Sequence, residues 1–366
     1  MLIKFAVSNY RGFSNKITWD LSHPNRYDFN DHVIKDGTIK NGIIYGPNGS
    51  GKSNFGLAIF DLVNHLTQKW KKPDYYVNFV YAGNYMASIK FEYHFKFSGK
   101  HVVYEYSKDR MGNILTEKLT VDDILKFDRN SQTIFICDEF PIEDTIKNKI
   151  ATSVNSISLA NYIHSTFPLD ETHYIVELVH FADTMLWFSS VEGNQFIGLQ
   201  NTSETIDEFI IREKLVKQFA DFLYDISEQK FEFIEPKPND KLLLCNVRGV
   251  PIQFSYIEST GTKSLTLLFY WMCKLDKASF VFIDEFDAFY HFKLSMEVCN
   301  RLFKKETQIF LSSHNTYLMT NDLLRPDCNF ILSNNKIRAL CDCTEKELRF
   351  GHNIEKIYRA NAFQID

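Results

Sequence analysis

The chain has 366 residues, 45% of them apolar, and a formal net charge of −5. That length suits one large domain or two ordinary ones, with enough apolar residues for a sizeable core. The charge excludes a global basic field of the kind that drives tight non-specific nucleic-acid binding, while leaving room for a local basic patch.

In chain order, the alternating apolar residues Leu2, Ile3, Phe5 and Val7 predict a strand, and Asn9 to Phe13 a turn. The apolar run ends too soon, at Ser8, Asn9 and Arg11, for a signal peptide. A second strand, Gly42 to Tyr45, runs into the glycine-rich stretch GPNGSGKS, and an apolar helix is expected from Ser53 to about Leu66. From Tyr75 to about Val121 the pattern is short alternating strands rich in Phe and Tyr, with Ser-Gly and Gly-Asn turns. Residues from about Ile142 to Gln229 read as mainly helical; in the last helix Leu215, Phe219, Phe222, Leu223 and Ile226 share one face. Strands return at Phe231 to Ile234 and around the Arg248-Gly249 turn.

The stretch YIESTGTKSLTLLFYW, Tyr256 to Trp271, follows. Ser259 or Thr260 can cap its apolar helix, but a cap needs one such residue and this stretch holds several. Two patterns of buried strands, SFVFIDE and TQIFLSSHN, are separated by a further helix. The longest apolar run, Leu265 to Cys273, is about half the ~20 residues of a membrane-spanning helix. An odd number of scattered cysteines argues for reduced thiols. Together these features predict a soluble cytoplasmic chain with no membrane partner. Cys341 and Cys343, with His352 beyond, have only weak metal-site spacing.

The expected architecture is α/β, with a mixed sheet flanked by helices and one nucleotide domain in two halves. Residues 1–72 and 231–366 form the halves, and 73–230 form an inserted lid of strands and helices.

Gly46 to Ser53 satisfies G-x-x-x-x-G-K-[ST], with a strand before it and a helix after it. Gly46, Gly49 and Gly51 let backbone N–H groups turn toward phosphate oxygens, with Pro47, Asn48, Ser50 and Asn54 completing the nucleotide-binding stretch. Lys52 should meet the β and γ phosphates and Ser53 should ligate Mg²⁺. The ligand is expected to be ATP with Mg²⁺; no base-reading motif excludes GTP.

Such a loop needs a carboxylate at the end of a hydrophobic strand. TIFICDEF, ending in Asp138-Glu139, and SFVFIDEF, ending in Asp284-Glu285, both qualify by eye. The second has the run Phe280 to Ile283 expected of a central parallel strand, so Asp284 is placed on the Mg²⁺ side and Glu285 as the residue that polarises water. Asp138-Glu139 is read as a solvated strand end.

In this order, the phosphate loop, ESTGTKSL, FVFIDEFDAFYH and IFLSSHN resemble ABC-type ATPases of the SMC, RecF and OLD (overcoming lysogenization defect) kind. More narrowly, with FAVSNYRGF and LRFGHNIEKIYRANAF, the chain resembles the "AAA family ATPase" proteins of phage-defence operons such as Septu, PARIS and retron-associated systems. The resemblance covers roughly 1–63 and 256–363 and leaves the middle unmatched. It implies that Ser259, Thr260, Gly261 and Thr262, with Lys263, form a signature that completes the site of a second copy in a head-to-tail dimer or a higher oligomer of such dimers. It further implies a D-loop with Asp287, Ala288 and His291 at the subunit contact, and His314 as a switch histidine near γ-phosphate or the attacking water. Arg11 matches a position near the nucleotide, though a surface turn explains it equally well.

There are departures. The signature is not the Ser-Gly-Gly-Gln of transporters, no Q-loop glutamine can be placed, and no Asp-x-Asp pair follows His314 to support a nuclease. The expected function is therefore an ATP-driven dimeric switch acting on a partner effector, a nuclease or toxin from a neighbouring gene, in antiphage defence. The alternatives are a nucleotide-gated scaffold with little turnover that holds such an effector inactive, and a DNA-repair ATPase that binds nucleic acid.

Overall fold

The computed structural model describes residues 1–67, 69, 78–130, 132–152, 157–189, 191, 196–199, 204–237 and 239–364. The expected start of the aromatic strands at Tyr75 and the expected boundary at 72/73 lie outside them.

Alternation of apolar and polar residues builds the first sheet. Its seven strands are antiparallel, in the order Ile134–Ile136, Ile124–Arg129, Ile114–Val121, Lys100–Lys108, Ile89–Phe97, Leu2–Ser8, Ile17–Asp20. In Ile89–Phe97 the residues Ile89, Phe91, Tyr93, Phe95 and Phe97 are buried while Lys90 and Lys96 are exposed, as a half-buried strand of period two requires.

The second sheet has the order Phe196–Gly198, Leu186–Ser189, Phe280–Asp284, Gln308–Ser313, Asn41–Tyr45, Asn329–Ser333, Lys336–Ala339. Its five inner strands are parallel and both edge strands antiparallel. Every residue of Phe280–Asp284, Gln308–Ser313 and Asn41–Tyr45 is buried, as parallel strands covered on both faces are.

The helix Lys52–Ile59 joins the two sheets. On one side Phe55 meets the rings of Phe5, Phe13 and Trp19 edge-on. On the other, a Cβ on Gly56 would come within 2.6 Å of the Phe282 ring, so glycine permits the close approach to the Phe280–Asp284 strand. Trp19 also packs against Phe310 and Phe330 of the second sheet. The sheets therefore share one core.

Gln308 adds a polar link between them: buried in the second sheet, it accepts from the Leu2 N–H at 3.0 Å and donates to the Leu2 carbonyl at 2.8 Å. Gln308→Ala strips both bonds from buried backbone and is expected to cost about 1–3 kcal/mol. A lower urea midpoint with an unchanged slope would show it.

Two buried ion pairs hold other helices to the first sheet. Lys108 donates to Asp61 at 2.7 Å, and Tyr106 adds a second bond to that carboxylate at 2.8 Å. Glu117 accepts from Arg129 at 2.8 Å, from Tyr104 at 2.8 Å, and from the N–H groups of Leu159 and Ala160 at 2.8 and 3.0 Å. Buried carboxylates survive in such places because several donors replace their lost water. Asp61 opens the helix Asp61–Leu66, and Leu159 opens Leu159–Thr166.

The structure differs from the sequence reading in several places. The helix expected from Ser53 to Leu66 is two helices with a break at Phe60. The aromatic strands are longer than expected and continue past Val121 to Ile136. Within 73–230, read as a lid, five strands belong to the sheet that Leu2–Ser8 enters. The "helical" stretch also contains Leu186–Ser189, which pairs in parallel with Phe280–Asp284. Phe231 to Ile234 supplies only an isolated bridge, Phe233 to Cys245, whereas the strands expected around the Arg248-Gly249 turn do form, as the hairpin Leu244–Val247 and Val250–Gln253. Among the described residues no helix is long and apolar enough to cross a membrane.

Candidate nucleotide site

Asn41–Tyr45 ends at the core of the second sheet, and the chain leaves it through the glycine-rich loop into Lys52–Ile59. Gly49 and Gly51 take positive φ, 77° and 99°, where a side chain is strained. A Cβ at Gly51 would also sit 3.0 Å from the Phe13 ring. At Gly46 φ is ordinary, but a side chain would run into the Leu332 carbonyl oxygen. The loop is therefore compact against its own sheet, with the helix N-terminus behind it.

Lys52 lies along this loop and donates to the carbonyl oxygens of Gly46 at 2.9 Å and Pro47 at 3.2 Å. Burial pushes its ammonium down from the usual lysine range, against the pull of Glu285 and Asp284. The hydroxyl of Ser53 faces the carboxylate of Asp284 and favours its ionised form. These are two hard oxygen donors side by side, the set that Mg²⁺ prefers. Burial raises the Asp284 carboxyl; a cation bound beside it would reverse that shift.

Asp284 and Glu285 lie at the end of the Phe280–Asp284 strand, next to His314. The imidazole Nδ1 of His314 lies 3.5 Å from Lys52 Nζ, and its Nε2 lies 4.0 Å from a Glu285 carboxylate oxygen. Burial lowers the His314 pKa, and the neighbouring Lys52 lowers it further, so the ring favours its neutral form. The three sequence-predicted groups from three strand ends therefore meet at one place. Glu285 itself has φ of 47°, a left-handed conformation that costs a non-glycine residue roughly 1–2 kcal/mol.

Arg11, also at positive φ, donates to the Asn54 side chain at 2.5 Å and stacks its guanidinium 3.9 Å from the Phe79 ring centroid. It thus sits beside the helix that the phosphate loop opens, and Asn54 serves as its anchor.

Ser259 caps Thr260–Met272 by accepting from the Thr262 N–H at 3.1 Å. The Thr262 side chain is buried and donates to Gln229 at 2.8 Å, so this hydroxyl serves its own chain. Ser259, Thr260 and Lys263 are exposed and Gly261 is half-buried. Their neighbour is the Asp287–His291 stretch: Ser264 and Tyr290 share a hydrogen bond of 2.8 Å. Asp287 accepts from Ser313 at 2.8 Å, and Ala288 closes a turn onto the Glu285 carbonyl at 3.1 Å. His291 caps Phe292–Phe303 through its Nδ1.

The second acidic strand goes elsewhere: Glu139 accepts from Tyr174, His173 and Lys126 at 2.7, 2.9 and 3.0 Å. The thiol of Cys343 donates to the Ala339 carbonyl at 3.3 Å, and among the described residues no group of three or more His, Cys, Asp or Glu could hold a metal ion.

The sequence reading missed Ser312. Its hydroxyl donates to Asp284 at 2.6 Å and accepts from the Glu285 N–H at 2.8 Å. Only the register exposes it: Ile283 pairs with Leu311, which puts the next residues, Asp284 and Ser312, together at the strand ends. Gln229, which holds Thr262, was missed too, because it lies more than thirty positions earlier at the end of another helix.

Fold and site together have the arrangement of a P-loop domain: a mixed sheet flanked by helices, with a glycine-rich loop leading from a strand into the helix it opens. Residues 169–320, less than half of the chain, match the family model described as "AAA domain, putative AbiEii toxin, Type IV TA system". That span contains the 259–263 stretch, Asp284, Glu285 and His314. No curated protein matches the chain. Among solved structures the chain is similar to an SMC head domain from Thermotoga maritima, with 16% identity, 92% of this chain and 97% of that one covered, and a TM-score of 0.44. It is similar also to an Smc head domain with an extended coiled coil, bound to the C-terminal domain of ScpA, from Pyrococcus furiosus, with 12% identity, coverage of 98% and 99%, and a TM-score of 0.47.

Proposed function

We propose that the chain binds ATP with Mg²⁺ and hydrolyses it as a dimeric switch. The observation that carries this reading is the meeting of Lys52, Glu285 and His314. Lys52 and the loop N–H groups would hold the phosphates, Ser53 and Asp284 would hold the metal, and Mg²⁺ would neutralise charge developing on the phosphate oxygens. Glu285 orients and deprotonates the attacking water, and neutral His314 can donate a hydrogen bond toward γ-phosphate.

Exposure of Ser259, Thr260 and Lys263 favours their use by a second, head-to-tail copy. Exposed aromatics flank the same region: Tyr256 is 81% exposed, and Phe292 and Tyr317, in contact with each other, are 46% and 58% exposed. A surface rich in such residues suits a protein interface.

The reading extends to a cytoplasmic regulator of an effector in antiphage defence, for which the toxin and antitoxin wording of the family description speaks. A second reading is a nucleotide-gated scaffold with little turnover that holds a toxin inactive.

With Mg²⁺ and ATP the purified chain should release phosphate and sediment as a dimer, and Lys52→Ala should do neither. Nucleotide-bound dimers without turnover would select the scaffold; no nucleotide binding at all would sink both readings.

A further inference from the structure

We propose that Ser312 is a positioning residue that sets the geometry of Glu285 through the backbone, an inference resting on the hydrolytic reading above. The parallel ladder between Phe280–Asp284 and Gln308–Ser313 pairs residues as far as Ile283 and Leu311. Beyond it the chain turns sharply, with Glu285 at φ of 47°. Left-handed backbone at a glutamate persists only where its surroundings over-determine it. What holds it here is Ser312. The Glu285 N–H donates to the Ser312 hydroxyl at 2.8 Å, and the Phe286 N–H donates to the Ser312 carbonyl at 3.3 Å.

The hydroxyl is fully buried, so no bulk water replaces it. It has one proton, which goes to Asp284 Oδ1 at 2.6 Å. With that proton used on Asp284, a lone pair of the Ser312 oxygen is left for the Glu285 N–H. The relay runs one way: Glu285 N–H to Ser312 oxygen, Ser312 O–H to Asp284. Ser312 thus ties the metal-side carboxylate to the backbone that aims the base.

Ser313 makes the neighbouring tie. Its hydroxyl donates to Asp287 at 2.8 Å and accepts from the Asn315 N–H at 2.9 Å. The two consecutive serines fasten the turn Asp284 to Asp287 to the strand that carries His314. The first acts on the base and the second on the Asp287–His291 stretch.

The test compares wild type, Glu285→Gln, Ser312→Ala and the double variant, with phosphate release for turnover and a fluorescent (mant) ATP analogue for binding. Ser312→Ala should lower kcat by about tenfold or more, as expected when a catalytic group loses its orientation. Its affinity for the analogue should stay within about twofold, because the phosphate loop is untouched. In the Glu285→Gln background the same substitution should cost less than about twofold, since residues acting as a unit are not additive. If Ser312→Ala turns over like wild type while Glu285→Gln does not, the positioning role is wrong and the hydrolytic reading stands. If kcat and analogue affinity fall together, or the two substitutions add in full, Ser312 is only structural. If wild type does not exceed Glu285→Gln, the assignment of the base falls and this inference with it.

Discussion

Glu285→Gln is expected to lower ATP turnover by about 10²- to 10⁴-fold, the range that a positioned general base contributes. The two side chains have the same shape, but the amide cannot take a proton from water. The backbone at Glu285 is held through its N–H by Ser312 rather than through its side chain, so the left-handed turn should persist in the variant. Lys52 keeps its bonds to Gly46 and Pro47, so binding of nucleotide should change by less than about threefold, a difference below 1 kcal/mol. A switch whose hydrolysis is blocked should accumulate in its nucleotide-bound form. The variant is therefore expected to sediment as a dimer with ATP and Mg²⁺ for much longer than wild type. Undiminished phosphate release would remove Glu285 as the base; lost turnover without any dimer would remove the dimeric switch.

The groups in that experiment were legible in the sequence because their signals are local. GPNGSGKS is one uninterrupted stretch between an apolar strand and an apolar helix, and Phe280 to Ile283 announces a strand buried on both faces. What escaped the sequence is pairing at a distance. Nothing in Leu2–Ser8 says that it lies beside Ile89–Phe97, so strands that belong to its sheet read as a separate lid. Leu186–Ser189 is four buried residues after the helix Tyr174–Asp183, too short for a period of two to be told from a period of 3.6. Its role as a parallel neighbour of Phe280–Asp284 depends wholly on tertiary contact. Ser312 and Ser313 drew no attention for the same reason: their meaning lies in what the register sets opposite them. Phe231 to Ile234 had the right composition for a strand but pairs only at Phe233. Partner geometry overrode its propensity.

Gly261→Asp should separate the two readings of the stretch at Ser259 to Lys263. Within its own chain this glycine has no evident reason to be glycine. A Cβ there would meet the Phe289 carbonyl oxygen at 3.5 Å and the Ser259 hydroxyl at 3.8 Å, both ordinary contacts, and no positive φ is needed. Gly261 sits in the first turn of Thr260–Met272, where an acidic side chain interacts favourably with the helix dipole by about 0.3–1 kcal/mol. The isolated subunit should therefore be as stable as wild type or slightly more so in thermal unfolding. The outcome reverses if a second copy presents its phosphates here. A carboxylate facing γ-phosphate is a like-charge contact that costs several kcal/mol, enough to reduce turnover by about 100-fold or more. Analogue binding at Lys52, in the same subunit, should stay within about twofold of wild type. ATP-dependent dimers should disappear from sedimentation. Gly261→Ala sharpens the comparison: alanine is the better helix former by about 0.5–1 kcal/mol, so a more stable but slower chain would trace the demand for glycine to the partner subunit. A Gly261→Asp chain that hydrolyses ATP at the wild-type rate would leave Ser259 as a helix cap and Thr262 as its internal support, with no part in a second subunit's site.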